Sequence, residues 1–579
     1  MASGINEARP LDLVLVWHMH QPEYRDYSTG HFMRPWVYLH AIKDYTDMAG
    51  HLECHPGVRA VVNFAPVLLD QLEDYTEQFA RGSMRDPLLS LLARTDSPPL
   101  SAVERALALD RCFHANHHKM IAPYPAYLQL HDLFVRLKAQ GEQALRYLSD
   151  QYVYDLLAWY HLSWLGETVR READTFPRLS SLGGGYSHAQ RMELFNLIGS
   201  KITDLIPRYR RLAEQGKVEL SCSPHYHTLS PLLIDFRSAV DAQPGLELPE
   251  APAYPGGIER VETHVRAALE SHERRFGAPP RGMWPSEGAV SDPLLALFAR
   301  HGLTWTASSE SVLANSLRVR YGRTFVRNRD LYRPYRVAAA SGDIQCFFRD
   351  ERLSDLIGFQ YAKWRGEDAA ADFIQELEGI AAAAPAGERP VVSVILDGEN
   401  AWEYYPYNAF YFFLALYDRL EAHPALRTHS YSSYLLARRE NAAQEPARAA
   451  TVEIPGLVAG SWVYGNFSTW IGSRDKNRAW DLLVAAKVSF DRVLAEGRLP
   501  KDLVKAARRQ LADCEGSDWF WWFGDYNPVE AVASFDQLFR AKLSNLYHCL
   551  QLPAPPELAA PISHGGGSPE AGGMMRRAT

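Results

Sequence analysis

The sequence has no surplus of positive charge: 61 lysines and arginines stand against 69 aspartates and glutamates, for a formal net charge of −8. No run of basic residues offers the counterion-releasing footprint of a nucleic-acid binder, so no nucleic-acid partner is expected. Long apolar runs are also missing. No stretch approaches the roughly 20 apolar residues that a membrane helix needs. Met1 to Pro10 are polar and acidic where a secretory leader would be basic and then apolar, and the apolar run Leu11 to Val16 is too short for a leader core. Cysteine is scarce: Cys54, Cys112, Cys222, Cys346, Cys514 and Cys549 are scattered with no CxxC spacing, so neither a zinc ribbon nor a disulfide framework is indicated. Internal repeats are absent. These absences together predict a cytoplasmic protein with no membrane partner.

What is present is bulk and aromatic residues. A chain of 579 residues exceeds one ordinary core, so two or three domains are expected. Apolar residues make up 47% and charged residues 22%, the composition of a folded protein. The 14 tryptophans and 29 tyrosines are compatible with carbohydrate binding, because aromatic faces pack against the apolar faces of sugar rings. Filling large cores accounts for most of them.

Four segments repeat one pattern, a short apolar run followed at once by residues capable of chemistry. Leu13 to Val16 leads into Trp17-His18-Met19-His20-Gln21-Pro22, and Lys217 to Leu220 leads into Pro224-His225-Tyr226-His227. Arg281-Gly282-Met283 leads into Trp284-Pro285-Ser286-Glu287, and Val391 to Leu396 leads into Asp397-Gly398-Glu399-Asn400. Apolar runs of this length bounded by turn residues read as buried strands of a parallel sheet. Helical spacing lies between them: Val261, Val265, Leu269 and Phe276 end at Gly277-Ala278-Pro279-Pro280, and Pro293 to Arg300 is followed by a strand at Leu303 to Thr306. Alternating strands and helices predict an α/β barrel or a doubly wound sheet, and in a barrel the active site forms at the C-terminal ends of the strands. All four polar clusters fall there.

Glu287 and Asp397 each emerge from such a strand end. Taken singly, either is an ordinary helix cap or salt-bridge partner. Facing each other, two carboxylates are what glycosidic cleavage needs: one attacks or stabilises the anomeric carbon and the other protonates the departing oxygen. A gap of about 5–5.5 Å would give retention and one of about 6.5–9.5 Å inversion.

The segments His18 to Pro22, Pro224 to His227, Trp284 to Glu287 and Asp397 to Glu399 resemble, in order, the characteristic motifs of glycoside hydrolase family 57. Gly460-Ser461-Trp462, Asn466 to Trp470 and Asp518 to Asp525 resemble the C-terminal region of its amylopullulanase/α-amylase branch. The resemblance implies an α/β fold: a distorted (β/α)7 barrel with helical insertions and a helical C-terminal domain. It also implies a retaining enzyme that cleaves α-1,4 links, with α-1,6 links left open, in glycogen, starch or maltodextrins. Glu287 takes the nucleophile's position and Asp397 that of the general acid/base. His18, His20 and His227 would hold the ring under attack, and Trp284, Trp402 and Trp470 would be sugar platforms or walls. Glu399 is a further candidate for sugar hydroxyls, or a cap of the following helix, as is Glu403. The chain departs from the usual second motif at His225, where the branch often has Tyr. No organic cofactor or metal is implied. The expected organisation is a catalytic barrel over 1–437 with a helical insertion at about 70–215, a charged linker at Arg438 to Arg448, a helical domain over 451–552 completing the cleft, and a disordered tail over 553–579.

Other readings compete. Residues two apart on a strand share a face, so His18 and His20, with Asp397 or Glu399, could form a hydrolytic metal site of the polysaccharide deacetylase kind. Against it, no separate Asp-Asp ligand pair accompanies the histidines. His114, His117 and His118 read as solvated or capping groups, Trp519, Trp521 and Trp522 as a packed junction, and Cys222 as a buried spectator. Because a glycosyl-enzyme can pass its sugar to water or to another hydroxyl, 4-α-glucanotransferase and branching activities share every catalytic residue named. A non-catalytic glucan-binding protein would be expected to have lost Glu287 or Asp397.

Overall fold

A computed structural model describes residues 9–339, 342–440 and 452–567. Ten strands form one sheet: β1 (Leu11–Met19), β2 (Ala60–Phe64), β3 (Val218–Cys222), β4 (Gly282–Met283), β5 (Trp305–Ser309), β6 (Tyr335–Ala339), β7 (Gly342–Arg349), β8 (Val391–Asp397), β9 (Leu426–Thr428) and β10 (Val452–Ile454). The order β1-β2-β3-β4-β5-β7-β8 returns to β1, and every pairing around that ring is parallel. This is a closed seven-stranded barrel. β6 lies antiparallel to β7, with β10 beside it, and β9 pairs with the start of β1.

Pleat alternation divides each strand between two cores. Val14, Val16, Val61, Trp305, Ala307, Phe347 and Ile395 fill the lumen, while Leu11, Leu13, Leu15, Trp17 and Met19 pack outward under the helices. Tyr431 and Tyr434, from the helix Tyr431–Glu440, plug one end of the lumen, Tyr431 stacking on Phe347 at 4.2 Å. At the other end Trp284 and Trp462 meet edge to face at 5.4 Å. β4 is only two residues long, and its Gly282 lies under the Trp305 indole, where a Cβ would come within 2.1 Å of the ring.

The long interval between β2 and β3 is helical, ending in the helix His188–Glu214. Beyond β10, the helices Arg474–Glu496, Lys501–Cys514 and Val529–Cys549 carry the C-terminal part. Two antiparallel bridges tie that part to the barrel rim, Val290 with Gly460 and Thr228 with Gly516. The expected tail is shorter than its composition suggests. Leu558 and Ile562 are buried, Ile562 N–H donates to Asp536 Oδ1 at 2.7 Å, and Gly524 N–H donates to Ser563 Oγ at 3.0 Å, so 553–567 is packed. Apolar anchors outweigh the proline and alanine around them; residues 568–579 lie outside the described residues. The expected linker begins inside a helix, with Arg438 buried, and its remainder from 441 also lies outside them.

Candidate active site

His18 lies within β1, two residues further along the strand than its apolar run suggested, in register with Asn63 of β2 and Asp397 of β8. Even-numbered positions of β1 face the lumen, so His18 continues the column above Val14 and Val16, and His20 follows on the same side with its ring stacked at 5.8 Å. Asn63 donates through Nδ2 to Ser221 Oγ at 3.1 Å, and Ser221 donates to the Gly282 carbonyl. That fixes the amide, so Asn63 Oδ1 accepts from His18 Nδ1 at 2.7 Å.

Glu287 and His227 both have left-handed backbones, φ 60° and 54°. Non-glycine residues adopt this region at a cost of about 1 kcal/mol or more. The C-terminal part holds both in place: Trp462 N–H donates to the Glu287 carbonyl at 2.9 Å, and Ser517 N–H to the His227 carbonyl at 2.9 Å. The same two residues grip the carboxyl group, Ser517 Oγ at 2.8 Å from Oε1 and Trp462 Nε1 donating to Oε2 at 3.1 Å. Asp518, which opens the next helix, bonds His20 Nε2 at 2.8 Å. Asp397 accepts from Asn400 Nδ2 at 2.7 Å.

His18, His20, His227, Glu287, Asp397, Glu399, Trp462 and Asp518 line one pocket that opens to solvent, with about 600 Å³ of space including its mouth. Electrostatics follow from burial. Glu287, only 8% exposed, is pushed up to about 7 by burial and then by the nearby Asp518 charge. Burial lifts Asp397 to about 6 against the Asn400 hydrogen bond and the His20 and Arg349 charges. Burial lowers His18 to about 3 and His227 well below its ordinary value, with neighbouring histidines adding to both. For His20 burial pulls downward too, but Asp518 overrides it and the value is raised. Burial and the Asp397 charge push Glu399 well up; its Oε1 accepts from His20 N–H, and its Oε2 is buried. Perturbed acids gathered in one cleft mark a site.

Six of the sequence-predicted residues therefore converge: His18, His20, His227, Glu287, Asp397 and Glu399. The three tryptophans do not reach the pocket surface. Trp284 (0% exposed) lies beneath His18 and Trp462; Trp402 (1%) packs against Trp17 and Phe413 and donates to the Gly398 carbonyl; Trp470 (0%) sits behind Trp521. Sequence reasoning gave no role to Trp462, Ser517, Asp518 or Asn63. Asn63 carried a readable signal, an apolar run ending in a polar residue, as in the four segments recognised. Trp462 and Asp518 sit in segments whose resemblance was noted, and Ser517 directly precedes one of them, but no local pattern reveals their contact with the barrel.

His20, His227 and Asp518 also bring three donor atoms within 4.8 Å of one another. The imidazoles stack with centroids 3.8 Å apart and planes inclined by 21°. Such planes meet roughly 10 Å away, whereas a shared zinc would need both in-plane lone pairs to converge at about 2 Å. The donor set does not fit a metal held by both rings.

The closed parallel barrel carries two acids, Glu287 and Asp397, in one pocket beyond the C-terminal ends of its strands, where barrel enzymes place their active sites. The chain matches the glycosyl hydrolase family 57 model over residues 14–447 and belongs to that family. Its fold is similar to that of the α-amylase AmyC from Thermotoga maritima, with a TM-score of 0.55 and 14% identity over 94% of this chain and 93% of that one. It is also similar to a family 57 branching enzyme from Thermococcus kodakaraensis (TM-score 0.54, 15% identity, 93% and 88% covered) and to one from Pyrococcus horikoshii (0.53, 15%, 98% and 99%). No curated protein matches it. Among the described residues no helix is long and apolar enough to cross a membrane.

Proposed function

We propose that this protein is a retaining glycoside hydrolase cutting α-1,4 links, with α-1,6 links also open to it, in glycogen, starch or maltodextrins. The observation that carries this reading is the pair Glu287 and Asp397, one buried and one half-buried carboxyl lining the same pocket, both with raised affinity for protons. In the unliganded pocket Glu287, at about 7, holds its proton more tightly than Asp397, at about 6, so the proposed step begins once Glu287 has passed its proton to Asp397 or to solvent. Asp397 gives its proton to the departing glycosidic oxygen while ionised Glu287 attacks the anomeric carbon. Asp397 then takes a proton from the incoming water. Donors on both oxygens of ionised Glu287 hold it in one orientation, and His20 and Glu399 line the same pocket beside it. The names of the similar structures, an α-amylase and branching enzymes, support an α-glucan substrate. Six free cysteines support a cytoplasmic setting.

The test is product analysis on glycogen, pullulan and maltoheptaose with the wild type, Glu287→Ala and Asp397→Ala. New reducing ends from the wild type, and loss of most of that activity in both variants, are expected. Redistributed chain lengths without new reducing ends would mean transfer to a sugar acceptor at the same site. Activity that survives in either variant would overturn the assignment of the pair.

A further inference from the structure

Four side chains form an unbroken buried line from the C-terminal end of β2 to the nucleophile. His18 Nδ1 faces Asn63 Oδ1 at 2.7 Å, His18 Nε2 faces His227 Nε2 at 3.1 Å, His227 Nδ1 faces Ser517 Oγ at 3.0 Å, and Ser517 Oγ faces Glu287 Oε1 at 2.8 Å. Hydrogens on this line can be counted. The fixed Asn63 oxygen requires a hydrogen on His18 Nδ1, so a neutral His18 presents a bare Nε2, and His227 must carry its hydrogen on Nε2. His227 Nδ1 is then bare and takes the single Ser517 hydrogen. Ser517 has none left for Glu287, and the line is satisfied only when Glu287 is itself protonated and donates to Ser517 Oγ.

We propose that Ser517 is a positioning residue whose hydroxyl couples the ionisation of Glu287 to the hydrogen-bonding state of His227. It rests on the reading of Glu287 as nucleophile. When Glu287 loses its proton to solvent, the Ser517 hydrogen must swing from His227 Nδ1 to Glu287 Oε1. Alternatively each hydrogen moves one place along the line: Glu287 to Ser517, Ser517 to His227 Nδ1, and His227 Nε2 to His18 Nε2. That leaves a carboxylate at one end and an imidazolium at the other. Either way the Ser517 hydroxyl ends as the donor to the reactive carboxylate, by turning in the first case and by relaying a proton in the second. The charged groups around Glu287 are Asp518 and Asp397, which oppose its ionisation, and His20, which favours it; His227 Nδ1 is 3.8 Å from Oε1. Among the described residues, Ser517 and Trp462 are the hydrogen-bond partners of its two oxygens, and both donate once it is ionised. Burial already biases Glu287 toward protonation, so the serine supplies what burial withholds.

The experiment is an infrared pH titration of the unliganded full-length protein, following the carboxylic acid band that Glu287→Gln removes. Ser517→Ala and the near-isosteric Ser517→Cys should each raise the midpoint by roughly one to two units, the worth of a hydrogen bond to a charged group. Ser517→Thr, which keeps the hydroxyl, should return it to the wild-type position. In pH–rate profiles the acid limb of kcat/KM should move by the same amount in Ala and Cys and be restored in Thr. A midpoint that stays put in Ser517→Ala or Ser517→Cys, or moves equally in Thr, would overturn the proposal. The infrared titration needs no substrate, so a wild type inert on every glucan would defeat the proposed function while leaving this test intact.

Discussion

Glu287→Gln should make the protein more stable above neutral pH. The carboxyl has an ordinary value of 4.5 and a folded value of about 7, so the folded state holds its proton more tightly than the unfolded chain. Ionisation therefore works against folding: the cost is absent well below 4.5, grows as pH rises, and is complete above 7. With 1.36 kcal/mol per unit the full cost is about 3 kcal/mol at pH 8, falling below about 1 kcal/mol at pH 5. Glutamine keeps the shape, accepts from Trp462 Nε1 and donates to Ser517 Oγ, reproducing the protonated acid. If the chain unfolds as one unit, its size makes this a rise of about 2–3 °C in Tm at pH 8. Thermal scans of both proteins at pH 8 and pH 5 check it. A variant no more stable than wild type at pH 8, or a difference that does not shrink at pH 5, would refute the reasoning. The expected gain is the stability given up to keep a reactive carboxyl buried.

Three further outcomes follow from the contacts. Trp462→Phe removes the donor to Glu287 Oε2 and should lower kcat about 10- to 100-fold near neutral pH, with the acid limb of the pH profile moved upward; steady-state kinetics across pH 5–9 read both. Gly288→Ala sets a Cβ 2.7 Å from the Trp284 ring and 3.0 Å from Trp462 Cβ at φ 58°, so it should cost about 1–3 kcal/mol and depress activity by displacing the Trp462 indole. Glu515→Ala strands the half-buried Arg260 and the buried His264, which meet that carboxylate together with the Tyr254 hydroxyl, and should cost about 3–5 kcal/mol in denaturant titration. Because Glu515 is held well below its ordinary value, by the Arg260 charge against the pull of burial, its contribution is present above pH 4.5 and is lost as pH falls.

The barrel strands with the strongest apolar runs were legible because strands buried on both faces need unbroken apolar stretches. Val391–Asp397 was readable almost to its ends, and its last residue is the candidate acid. Gly282–Met283 was the weakest signal and is the shortest strand, since a glycine and a turn leave little to recognise. β2 and β7 were not read, although β2 carries Asn63, which orients His18. The His18 and His20 pairing on one face followed from strand geometry alone. The tryptophans show the limit of residue type as evidence. An indole suits a sugar or a core equally well, and Trp284, Trp402 and Trp470 went to the core, whereas Trp462 reached the pocket. Ser517 and Asp518 come from 230 residues beyond Glu287 or more, and such a meeting is decided by packing, for which the chain carries no local sign.

The most direct test of the central claim is to trap the glycosyl-enzyme. Asp397→Asn, which lacks the base for the second step, is mixed with an α-maltooligosyl fluoride, whose leaving group needs no protonation, and digested for mass spectrometry. The account predicts one peptide heavier by the glycosyl mass, with the ester on Glu287, and no adduct in Asp397→Asn combined with Glu287→Gln. An adduct on another residue, or no adduct together with inverted product from the wild type, would contradict it.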